Sequence, residues 1–71
     1  MELSLKDVCR KAQAALAASS VAALRRVRVE VADDALLLCG LVASFYHKQL
    51  AQEAIRLIVG EYPLVNAVAV Q

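Results

Sequence analysis

The chain has 71 residues, enough for one domain spanning 1–71 with one hydrophobic core, which excludes most multidomain enzyme architectures. Apolar residue types make up 61% of it, but 14 of these are alanines that bury little area, so the core must rest on Leu and Val. Eight Lys and Arg against seven Asp and Glu give a formal charge of +1, neither the basic footprint of a nucleic-acid binder nor an acidic tail.

Residues 4–18 carry a cap and a period. Ser4 with Asp7 three residues on makes a capping-box-like start, with Leu3 placed to staple against Val8. Leu5, Val8, Cys9, Ala12 and Leu16 recur at helical spacing, while Lys6, Asp7, Arg10, Lys11 and Gln13 fill the other positions. The basic residues ahead of the Ala-rich stretch loosely imitate a secretory leader. Glu2 and Asp7 interrupt that pattern, so the segment is read as a helix of a cytoplasmic chain or of a domain cut from a larger envelope protein. The longest nearly apolar run, 35–45, is too short to cross a bilayer as a helix. Ser19 and Ser20 weaken the first helix, and the segment up to Arg26 is read as irregular, with Val21 and Leu24 tucked beneath it.

From Val27 the period becomes two. Val27, Val29 and Val31 alternate with Arg28 and Glu30, as in a strand with one wet face. Asp33 and Asp34 follow as a turn, and the run 35–42 is apolar throughout. If the two aspartates close a two-residue hairpin, Val31 pairs with Leu36, and Leu36, Leu38, Gly40 and Val42 share the inner face with the valines. Leu37, Cys39 and Leu41 then point away. Ser44 caps a second helix that runs to about Val59 and ends at Gly60 before Pro63. Its apolar stripe is read as Leu50, Ala51, Ala54, Leu57 and Ile58, with the small pair Ala51 and Ala54 settling over Gly40. Residues 64–70 form the last strand, with Leu64, Asn66, Val68 and Val70 inward and Val65, Ala67 and Ala69 outward. The expected fold is α+β, a two-layer αββαβ sandwich with a three-stranded sheet and two helices on one face. The partner of the last strand is left open.

Val27-x-Val29-x-Val31, Leu36-x-Leu38-x-Gly40-x-Val42-x-Ser44, Gly60 and Val65-Asn66-x-Val68-x-Val70 together resemble the BON domain, the family named for bacterial osmotic-shock and nodulation proteins. The similarity covers residues 20–71, and the first helix agrees in place and type. It implies a non-enzymatic binding module that associates with proteins or phospholipid membranes, often in the cell envelope. The sequence departs from the family pattern at Asp34, where glycine is usual, and in its apolar outward strand positions. The same order of elements is similar to the second topology of K-homology RNA-binding domains, but their GxxG loop is missing and nucleic-acid binding is not expected.

The candidate interaction surface is accordingly the outer sheet face: Leu37, Cys39, Leu41, Val65, Ala67 and Ala69, expected to bind a second copy in a homodimer or higher assembly, or a protein partner. Arg25, Arg26 and Arg28 form the one local basic cluster, a candidate contact for anionic phospholipid. His47 has no sequence neighbour to activate beyond Cys39 and Glu53, and Asp33 and Asp34 match no calcium loop, so no catalytic residue, metal, cofactor or small-molecule substrate is expected. Cys9 and Cys39 lack metal-ligand spacing and are read as free thiols, Cys9 inward and inert.

Overall fold

The computed structural model describes residues 4–71 and has an α+β fold of two layers. In chain order the elements are α1 (Leu5–Ala17), α2 (Ala22–Arg25), β1 (Arg28–Ala32), β2 (Ala35–Cys39), β3 (Leu41–Val42), α3 (Phe45–Val59), β4 (Leu64–Asn66) and β5 (Ala69–Val70). Helix α1 begins on the expected capping box. Ser4 Oγ accepts from the Asp7 amide, and Asp7 accepts from the Ser4 amide in return. Those Ser4 hydrogen bonds, helped by Arg10 and Lys11, hold the Asp7 carboxyl below its ordinary range. The proposed staple to Leu3 lies outside the described residues. Ser44 caps α3 in the same way, accepting from the His47 amide.

β1 and β2 form the expected hairpin, with Val31 opposite Leu36 and Ala32 opposite Ala35. The turn has two residues, and Asp33 takes the positive φ, 54°, that a primed hairpin turn demands of its first position. The last strand pairs with the second rather than the first. Leu36, Leu37 and Leu38 run parallel to Leu64, Val65 and Asn66, and Leu41 and Val42 to Ala69 and Val70. The amides of Ala67, Ala69 and Gln71 reach the carbonyls of Leu38, Gly40 and Val42, each at 2.9 Å, so β4–β5 is in effect one edge strand.

Val8, Ala12 and Leu16 of α1, Leu24, Val27, Val29, Leu36, Leu38, Val42, Val68, and Ala51, Ile55 and Val59 of α3 form one buried cluster. Every sheet residue in it lies on the face that carries α1 and α3. The Cα atoms span 37 × 23 × 15 Å, a slab with room for those two layers and no third.

Several expectations need correction. The segment before β1 is not irregular: residues 22–25 form a short helix, added to the two expected, because Leu24 is buried and the Val21 carbonyl accepts the Leu24 amide. Val31 is exposed, since it lies beyond the reach of the helices at the hairpin end. The stripe on α3 is rotated: Ile55 and Val59 join Ala51 in the core, whereas Ala54 and Leu57 face solvent. Burial favours this seating, since Ile55 and Val59 take more apolar area out of water than Ala54 and Leu57 would, and Asn66 of β4 latches it. Its Nδ2 donates to the Lys48 carbonyl at 2.9 Å and to Gln52 Oε1 at 3.1 Å, tying that flank of α3 to β4.

Gly40 does not receive α3. A Cβ there would stand 3.5 Å from the Arg26 oxygen and the Val27 Cα, and the residue has φ 139°. The contact is ordinary, but that φ suits only glycine. Gly40→Ala is expected to cost about 1–3 kcal/mol of stability in chemical denaturation.

Candidate interaction surface

The strict alternation of β2 and β3 places Leu36, Leu38 and Val42 among the buried residues and turns Leu37, Cys39 and Leu41 to the opposite side. β4 and β5 add Val65, Ala67 and Ala69 to that side in the parallel register, Val65 beside Leu37 and Ala69 beside Leu41. The six residues therefore make one strip, two strands wide. Leu41 is 55% and Val65 51% exposed, and both alanines are exposed. Leu37 and Cys39 are half-buried, because each is flanked by a neighbouring strand on both sides. β1 borders the strip with charge. Glu30 lies opposite Leu37, Arg28 opposite Cys39, and the two side chains form an ion pair at 3.6 Å.

The three arginines do not act as one patch. Arg25 Nη1 donates to the Ser19 carbonyl at 2.9 Å across the α1–α2 connection, and Arg28 is engaged with Glu30. The side chain of Arg26 alone lacks a hydrogen bond or ion pair among the described residues.

Both thiols are free. Cys9 is half-buried rather than wholly inward, and its Sγ lies 3.3 Å from the Val29 carbonyl. Burial, and after it the Glu30 carboxylate, raises the Cys9 pKa above the ordinary 9.0. The folded state thus holds this proton more tightly than the unfolded chain. The linked stability is complete below pH 9.0 and is lost as pH rises through the higher folded value. In a Cys39→Ser background, Cys9 is expected to react with iodoacetamide several-fold more slowly than glutathione at pH 8, in line with its reduced thiolate fraction. Mass spectrometry reads the rate.

Sequence reasoning missed the partners of three polar side chains. His47 Nδ1 lies 3.1 Å from the Ser44 hydroxyl, a local pair across the helix cap, and its ring meets that of Tyr46 at 5.6 Å. Asn66 Oδ1 accepts the Val68 amide at 3.2 Å on the open edge of β4–β5. Gln13 bonds the backbone of β1 at two points. The one available signal was position: Gln13 is next to Ala12, on the flank of the core stripe, and Asn66 is the polar member of an otherwise aliphatic inward set. Among the described residues, no three His, Cys, Asp or Glu side chains gather as metal ligands would, and no helix is long and apolar enough to cross a membrane.

Fold and surface together define a small two-layer α+β domain with one helix-covered sheet face and one bare, partly apolar face. Neither a family model nor a curated protein matches the chain.

Proposed function

We propose that this chain is a non-catalytic, BON-like binding module that acts by self-association through the outer sheet face. The observation that carries the reading is the strip itself: Leu41 and Val65 stand half-exposed beside Leu37, Cys39, Ala67 and Ala69, with no described segment laid over them. A second copy is favoured over an unrelated protein by the charges at the border. With a two-fold axis running across the strands between the Glu30–Leu37 and Arg28–Cys39 rows, β1 lies over β1, and each Arg28 meets Glu30 of the other copy.

The expected affinity is low. Covering the exposed halves of Leu41 and Val65 yields about 1 kcal/mol each per copy, against an association cost of about 4–15 kcal/mol. Those two side chains therefore do not offset the cost by themselves, and the reading requires the rest of the strip and the Arg28–Glu30 border pairs to bring the dissociation constant to about 10⁻⁴–10⁻³ M. Sedimentation equilibrium is expected to show mass rising from 7.6 kDa toward twice that value as concentration increases. A chain that stays monomeric at millimolar concentration removes the proposal.

The alternative, anionic phospholipid bound through Arg25, Arg26 and Arg28, has less support. Two of those arginines already have partners, and three cations without an apolar anchor bind a membrane weakly. Flotation with phosphatidylserine vesicles, lost on Arg26→Glu and absent with phosphatidylcholine, would favour the lipid reading over the sheet face.

A further inference from the structure

The outer edge of β1 has no strand beside it among the described residues, and one side chain fills the place. Gln13 Oε1 accepts the Val29 amide at 2.8 Å, and Gln13 Nε2 donates to the Val27 carbonyl at 3.0 Å. Those are the two bonds that the N–H and C=O of one residue in a neighbouring parallel strand would make. Cys9 Sγ adds a weak bond to the Val29 carbonyl at 3.3 Å. The amide of Gln13 therefore acts as a surrogate strand, reaching over from a helix whose core residues Val8, Ala12 and Leu16 lie on the inner face.

We infer that this edge is a latent pairing surface for β1 of a second copy, kept closed by Gln13. The strand is self-complementary about Val29. In an antiparallel pair centred there, Val29 meets Val29, Arg28 meets Glu30 of the other copy, and Glu30 meets its Arg28. The two Val29 residues exchange both backbone bonds, and each Val27 carbonyl, released by Gln13, accepts the Val31 amide of the other copy. The opposite edge offers no such match, because residues 64–71 carry no charged side chain to pair across a two-fold axis. Gln13 therefore decides whether this sheet pairs by its edge. The inference is independent of the outer-face reading.

The test is amide exchange at Val29 by NMR on the full chain carrying Gln13→Ala, with sedimentation velocity alongside. Face-to-face pairing leaves the Val29 amide unpaired, so its protection reports on the edge alone. At about 10 μM the Val29 amide is expected to exchange at least tenfold faster than in the unsubstituted chain, and at about 1 mM to regain protection as the mass doubles. Adding Glu30→Arg sets arginine against arginine and abolishes the regained protection; adding Arg28→Glu as well restores it. Gln13→Asn, whose shorter amide cannot span to β1, serves if the alanine variant does not fold. A folded variant that stays protected at 10 μM, that remains unprotected at 1 mM, or whose protection ignores the charge reversal overturns the inference.

Discussion

Leu38→Ala is expected to lower the unfolding free energy by about 2–5 kcal/mol, out of roughly 4–11 kcal/mol for a chain of this size. Leu38 has no exposed surface and lies on the middle strand of the sheet, in the buried cluster that also holds Val8, Leu16, Leu36 and Ile55. Two layers leave little around it to collapse into the cavity, so the upper part of that range applies. The variant is expected to be substantially unfolded at 37 °C. Leu37→Ala, one position along the same strand, is expected to cost about 1 kcal/mol, because that side chain is only partly buried and faces away from the core. Urea denaturation of the pair measures the difference. Similar losses at the two positions would mean that both faces of β2 are covered in the free chain.

The second large effect separates binding from folding. Leu41→Asp is expected to leave stability within about 1 kcal/mol of the parent, since Leu41 is 55% exposed and lies on the two-residue strand β3. In the paired form the same carboxylate is desolvated without a cation of its own. Self-association is therefore expected to weaken at least a hundredfold, by about 3 kcal/mol. Sedimentation equilibrium together with urea denaturation tests both halves. Loss of stability in step with loss of association would mark Leu41 as a structural residue.

Much of the architecture was legible because alternation is a local property. The alternating valines from Val27 and the turn at Asp33 and Asp34 fix which side of the hairpin faces in, and the register follows from a two-residue turn, whereas Asn66 is a polar exception on the inward side of β4. The six outward residues are the complement of that pattern. The rotation of α3 was not legible, because Leu50, Ala54, Leu57 and Ile58 continue the apolar arc of Ala51, Ile55 and Val59, and an arc that wide permits more than one seating. The observed seating is latched by the Asn66 bonds to Lys48 and Gln52, contacts across 18 and 14 residues. Gln13 was hidden for the same reason: in sequence it is a polar residue on a helix flank, and only the fold brings it to β1. Leu24 shows the limit for short elements, since one buried residue sets no period. The resemblance to the BON domain rests on the same strand alternation, so it speaks to packing more than to a ligand.

The most direct test of the outer face is the accessibility of individual methyl groups to a soluble nitroxide, read by NMR across a concentration series. Leu57, 91% exposed on α3, supplies the internal control. The methyls of Leu37, Leu41 and Val65 are expected to lose paramagnetic broadening as concentration rises from about 50 μM to about 2 mM, while those of Leu57 keep theirs. Constant broadening at Leu41 and Val65, with protection appearing at Leu57 instead, would move the contact to the helical layer and contradict the account.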